Sequence, residues 1–162
     1  MSERRHVTVE AVRLRFAAAH MATIGDELEP LHGHNYSVSC RVDGALTGDG
    51  WVIDFSALKR YVREACERLD HRFLLQRDST LIEITEEPDA WSIVAGDRHY
   101  RFPAADVVAL PLENTTAELL AQWIAERVVE ALRGGGHANI ASVTVDVEEM
   151  PGQSGGYVRD VS

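Results

Sequence analysis

Apolar positions alternate from Val7 through Val9 and Ala11, slip by one at Val12, and resume as Leu14, Phe16, Ala18 and His20. Period-two alternation marks a half-buried strand, and a one-residue slip is what a β-bulge produces. The pattern predicts a strand over residues 7–18 with a bulge at Val12. Residues 21–31 (MATIGDELEPL) carry acidic groups and Pro30 and read as a loop. A second strand follows, with His32, His34, Tyr36, Val38, Cys40 and Val42 on one face. Asp49-Gly50 signals a turn, and Trp51 to Phe55 a short return toward the sheet.

From Ser56 the period changes. Leu58, Tyr61, Val62, Ala65 and Leu69 recur at helical spacing, and the stripe ends at Leu69-Asp70-His71. Residues 75–90 are polar and give no periodicity. Trp91 to Ala95 and His99 to Phe102, around Gly96-Asp97-Arg98, form a hairpin pattern. A second helix begins at Asn114-Thr115-Thr116-Ala117-Glu118, where Thr115 and Glu118 match a capping box. Its stripe is Leu120, Trp123, Ile124, Val128 and Leu132, and Gly134-Gly135-Gly136 ends it. The last strand, Ile140 to Glu149, puts Val143, Val145, Val147 and Glu149 on one face. The tail 151–162 reads as loose, with Tyr157 and Val158 able to add an edge contact. Helices grouped beside an antiparallel sheet give a single α+β domain over residues 1–150. A four-stranded sheet with open edges favours closure through oligomerisation.

Composition narrows the function classes. At 162 residues the chain fits one domain, and two cysteines make neither a disulfide framework nor a thiolate cluster. No apolar run approaches the roughly 20 residues of a membrane span, and the N-terminus lacks a signal-peptide core, so a cytoplasmic protein with no membrane role is expected. A net charge of −10 argues against nucleic acid as a partner.

His20, His32 and His34 carry the chemistry. Two histidines at i, i+2 on a strand share a face, and a third from the neighbouring strand closes on them. Such a histidine pair is more often a hydrogen-bonded core feature than a ligand set, and His20 is what shifts the balance. Gly33 between the pair lets a ligand or another backbone come close. Three imidazoles with an open fourth position favour zinc as a catalyst, able to polarise a carbonyl or acidify a hydroxyl. Asp70 and His71 offer an acid–base pair, or alternatively a helix C-terminus with a capping histidine. Glu149 sits either at the edge of the core or opposite a cationic or amide-like partner, for which a guanidine-like ring edge is suited.

The motifs FAAAH (16–20), LHGHNY (31–36), WVIDF (51–55), LDHRFL (69–74), ENTTAE (113–118) and VDVEE (145–149) together resemble the 6-pyruvoyl-tetrahydropterin and 6-carboxy-tetrahydropterin synthase family. The resemblance implies the tunnelling fold: a four-stranded antiparallel sheet with two helices on one face, here with a small inserted hairpin. It implies a homo-oligomer, a trimer stacked into a hexamer, with active sites at subunit interfaces. It further implies zinc on His20, His32 and His34, a small-molecule pterin substrate anchored by Glu149, and Asp70 with His71 as the catalytic pair. Thr115 and Thr116 fall in the segment lining the pterin pocket.

One departure bears on the reaction. The synthases carry a catalytic cysteine in the loop before HGH, and residues 21–31 contain none; Glu29 stands three residues before His32 instead. The chain thus resembles the subgroup in which glutamate replaces that cysteine and the product is 6-hydroxymethyl-dihydropterin, made from dihydroneopterin or its triphosphate. A thiol titrating near about 8.5 and a carboxyl near about 4.3 are different bases. Two alternatives stand beside this lyase: a pyruvoyl- or carboxy-pterin synthase whose cysteine role is filled otherwise, and a non-catalytic pterin-binding or assembly protein.

Overall fold

A computed structural model describes residues 3–10 and 13–161. Its centre is β5 (His32–Gly44), whose alternation buries Tyr36, Val38, Cys40 and Val42 and exposes Asn35, Ser37 and Arg41. Two strands lie antiparallel along one of its sides. β1 (Arg5–Val9) sets Val9 opposite Cys40, and β2 (Arg15–His20) sets Phe16 opposite Tyr36 and His20 opposite His32. The slip expected at Val12 lies outside the described residues. On either side of it the register passes from Val9 opposite Cys40 to Arg15 opposite Ser37, so the predicted single strand is two. The other side of β5 pairs with β11 (Ile140–Met150).

The sheet is larger than the four antiparallel strands expected, and it is mixed. β6 (Arg72–Gln76) runs parallel to β2, and β10 (Val107–Leu110) parallel to β6. β12 (Gln153–Asp160) pairs antiparallel with β11, which corrects the reading of the tail as loose. The order is β10-β6-β2-β5-β11-β12, with β1 also on β5. Within residues 21–31, β3 (Thr23–Ile24) and β4 (Glu27–Leu28) form a minimal hairpin where only loop was expected. Residues 51–54 form no strand; Asp54 instead caps the first helix.

α1 (Phe55–Leu69) begins at Asp54, whose carboxylate accepts from Ala57 N at 3.0 Å. α2 (Ala117–Gly134) begins one residue later than the capping-box reading: Thr116, not Thr115, accepts from Leu119 N. Both helices bury their stripes against Phe16, Tyr36, Val38, Cys40, Val143, Val145 and Val147, which places them on one face of the sheet. That burial is the main source of stability. Among the described residues no helix is long and apolar enough to cross a membrane.

The expected hairpin is present as β8 (Ala90–Ala95) and β9 (Arg98–Pro103), joined by β7 (Glu83–Glu86) into a three-stranded sheet. It packs through Ile93 onto a second apolar cluster with Met21, Phe73, Leu75 and Ile82. This unit therefore lies beside the chain leaving His20. The α+β class and the tunnelling-fold architecture hold.

Candidate active site

His20 ends β2 and faces His32 across the ladder, while His34 lies two residues farther along the same face of β5. One nitrogen from each ring falls within 4.8 Å of the others. The Nδ1 atoms of two rings are engaged: His20 Nδ1 lies 3.1 Å from both the carbonyl and the hydroxyl oxygen of Thr115, and His32 Nδ1 lies 2.7 Å from the Pro30 carbonyl. A carbonyl only accepts, so these contacts put a ring proton on each Nδ1, which in a neutral imidazole leaves Nε2 as a lone pair. With both rings in that neutral tautomer the two Nε2 atoms are facing acceptors 3.2 Å apart. Burial, then the nearby His32, pushes His20 down to about 4, against an opposing pull from Thr115, so its ring is neutral. Two neutral acceptors at that distance, with a third imidazole alongside, fit a divalent cation such as zinc.

Two carboxylates flank the cluster. Glu149 Oε1 is 3.7 Å from both His20 Nε2 and His34 Nε2, and Glu29 Oε2 is 3.9 Å from His32 Nε2. Both open onto a cavity of about 290 Å³ whose walls include Thr116, Glu118, Ser154 and Gly155. Thr116 borders this cavity. Thr115 does not: it is fully buried and turned to His20, so it supports the imidazole where the sequence suggested a pocket wall. No cysteine borders this cavity among the described residues. Cys40 and Cys66 are buried in the core, and burial pushes each thiol up to about 12.

The loop carrying Glu29 is held by residues that periodicity does not flag. Asn114 exchanges two 2.9 Å hydrogen bonds with the backbone of Thr23, Gln76 donates to the Met21 carbonyl at 2.6 Å, and Arg98 donates to the carbonyls of Leu28 and Glu29 at 2.6 and 3.2 Å. A glutamine closing the apolar run Phe73-Leu74-Leu75 was the one available signal.

Asp70 and His71 lie elsewhere. They form a 2.9 Å pair, and Asp70 also accepts from Ala17 N at 2.8 Å while His71 N donates to the Ala17 carbonyl. Partial burial pushes the Asp70 carboxyl upward, but the hydrogen bonds from Ala17 and His71 outweigh it and hold it below its ordinary value. The His71 side chain is 82% exposed and borders a different cavity, of about 690 Å³, that shares no wall residue with the first. A shallow depression over Ala17, Ala19, Gly33 and Asn35 is bordered by both His34 and His71. The side chains of Ala17, Ala19 and Asn35 point away from the imidazoles, because neighbours on a strand alternate. Within one chain, then, the pair and the histidine cluster do not converge.

A family model described as 6-pyruvoyl tetrahydropterin synthase matches residues 10–160. A Methanocaldococcus jannaschii protein named provisionally as a 6-carboxy-5,6,7,8-tetrahydropterin synthase is 32% identical over 145 residues, 89% of each chain. The dihydroneopterin monophosphate aldolase of Pyrococcus furiosus is 30% identical over 122 residues, 75% of each chain. The solved 6-pyruvoyl tetrahydropterin synthase of Plasmodium vivax superposes with a TM-score of 0.91 at 34% identity, covering 98% of this chain and 99% of that one. Structures of that Plasmodium protein include variants of a glutamate described as a catalytic residue, replaced by alanine in one and by cysteine in the other. With its histidine cluster, its fold and this match over nearly its whole length, the chain belongs to the 6-pyruvoyl tetrahydropterin synthase family.

Proposed function

We propose that the protein is a zinc-dependent lyase that cleaves the side chain of 7,8-dihydroneopterin, or of a phosphorylated form, to 6-hydroxymethyl-7,8-dihydropterin. The observation that carries this reading is the placement of Glu29. Its carboxylate borders the histidine cluster, while both thiols are buried and neither lines that cavity, which supports Glu29 in the role that a synthase-type reaction gives to a thiolate. The Pyrococcus aldolase and the catalytic glutamate of the Plasmodium relative support the same reading.

Zinc held by His20, His32 and His34 supplies Lewis acidity toward a side-chain hydroxyl. Glu149 anchors the pterin by accepting from adjacent ring N–H groups as a bidentate partner. Glu29 takes the proton of the 2′-hydroxyl, the C1′–C2′ bond breaks, and its electron pair stays on C1′. His71 of a second copy, oriented by its Asp70, delivers a proton to C1′, and the two-carbon fragment leaves as glycolaldehyde or its phosphate. The second copy is needed because Asp70 and His71 do not reach the histidines of their own chain.

The runner-up is a 6-carboxy-tetrahydropterin synthase, which the name of the Methanocaldococcus relative favours. Product analysis separates the two. Incubation with dihydroneopterin, its monophosphate and its triphosphate is expected to give 6-hydroxymethyl-dihydropterin from at least one. A pyruvoyl or carboxy product from the triphosphate, with no hydroxymethyl product from any, would falsify the lyase reading. Glu29→Gln is expected to lower turnover at least about a hundredfold while zinc content stays at one per chain.

A further inference from the structure

Glu149 follows Val143, Val145 and Val147 on the buried face of β11, the strand paired with the histidine-bearing β5. A carboxylate placed there calls for a partner. Among the described residues no arginine or lysine lies in salt-bridge range of it, and it makes no hydrogen bond. It faces imidazoles instead: Oε1 is 3.7 Å from His20 Nε2 and 3.7 Å from His34 Nε2. Neither contact is short enough for a hydrogen bond. In its neutral ring His20 Nε2 is moreover a lone pair, because Nδ1 turns its proton to Thr115. A carboxylate oxygen and a ring lone pair repel each other unless a cation lies between them.

The spacing fits a shared ion. Four donors about 2 Å from a tetrahedral ion stand about 3.3 Å from one another. His20 Nε2 and His32 Nε2 are already 3.2 Å apart, and Glu149 needs only a small side-chain movement to join them. The movement is free, since its side chain is 28% exposed on the cavity wall. Glu29 fits less well, with Oε2 at 3.9 Å from the one ring it faces, His32.

We infer that Glu149 is a fourth, displaceable ligand of the cation held by His20, His32 and His34, and that pterin binding draws it off. The displacement rests on the pterin reading proposed above; the ligation does not. A pterin anchored by Glu149 presents its N–H edge at one end of a bicyclic ring and its side chain at the other. A carboxylate 3.7 Å from the imidazole nitrogens leaves no room for that ring between them. Glu149 therefore has two positions: on the ion, closing its fourth site, and off it, holding the ring. A closed four-donor set is a structural site, and release of one donor makes it a catalytic one. The carboxylate that recognises the ring thus uncovers the ion for the side-chain hydroxyl of the same molecule.

Cobalt(II) loaded into the full-length protein tests both halves, because its visible absorption reports the donor set. Glu149→Ala is expected to shift the bands and to weaken zinc binding at least about tenfold in competition with a chelator. Glu149→Gln, close in shape, is expected to shift them in the same direction and guards against a folding defect. Glu29→Gln is expected to leave the bands in place. Pterin without a 6-substituent then serves as the probe, since it anchors on Glu149 but has no side-chain oxygen for the ion. It is expected to move the wild-type spectrum and to leave that of Glu149→Ala unchanged. Coincident wild-type and Glu149 variant spectra before pterin is added overturn the ligation, as do bands that respond to Glu29→Gln alone. A wild-type spectrum that stays fixed while calorimetry shows pterin bound overturns the displacement. So does a shift in both proteins, which marks chelation by the ring itself. If pterin does not bind, the pterin reading fails and the displacement with it, while the cobalt spectra still decide the ligation.

Discussion

A methyl group added at Gly33 would stand 2.8 Å from the Ala18 carbonyl oxygen, a backbone atom of the neighbouring strand. The sequence offered two reasons for a glycine between His32 and His34, a close ligand or a close backbone, and the second applies. Strand β2 runs so near β5 here that His20 and His32 can meet at 3.2 Å. Gly33→Ala is expected to push the strands apart, costing about 1–3 kcal/mol by overpacking. Zinc content by atomic absorption should fall while circular dichroism remains near wild type; full zinc occupancy would show that the strand spacing is not what sets the cluster. Thr115 and Thr116 teach a related lesson. A capping box can be read from either threonine in such a run, and only the packing shows that one caps α2 while the other is spent on His20.

Among the elements, the three strands β7–β9 have a definite mechanical effect, because Arg98 at the start of β9 ties down the carbonyls of Leu28 and Glu29. Arg98→Ala is expected to speed amide hydrogen exchange across residues 22–31 and to lower kcat about ten- to hundredfold, since small misplacements of a catalytic group are costly. Unchanged exchange in that loop would remove the strap. The elements legible in the sequence were those with a clean period: β5, β11, both helices and the β8–β9 hairpin. β6 escaped because a parallel strand flanked on both sides has no alternation to show, and its Phe73, Leu74, Leu75 and Gln76 are all buried. β12 escaped because it is written in loop residues. A side chain at Gly155 would meet the Glu118 backbone nitrogen at 2.8 Å, and one at Gly156 would strike the Asp146 carboxylate. That His20, His32 and His34 share one place was legible from their spacing, but the separation of Asp70 and His71 from them depends on sheet order and is not a local property.

For the whole molecule, that separation has a measurable outcome. His32→Ala and His71→Ala are each expected to be inactive, yet co-expressed they should recover about one quarter of the wild-type specific activity, because random assembly pairs an intact histidine cluster with an intact His71 at about that frequency. A dead mixture that still assembles would place both groups of a working site in one chain. The order of the sheet also governs how the chain is made. β5 ends at Gly44, yet one of its two sides waits for β11, which begins at Ile140. At roughly 5–20 residues per second, the ribosome leaves that edge without its partner for about 5–20 s. His20, His32 and His34 emerge early and belong to one local strand pair, whereas Glu149 arrives among the last residues. The histidine cluster can therefore assemble on the nascent chain well before Glu149 joins it, and the longest-lived hazard during synthesis is the bare, apolar flank of β5.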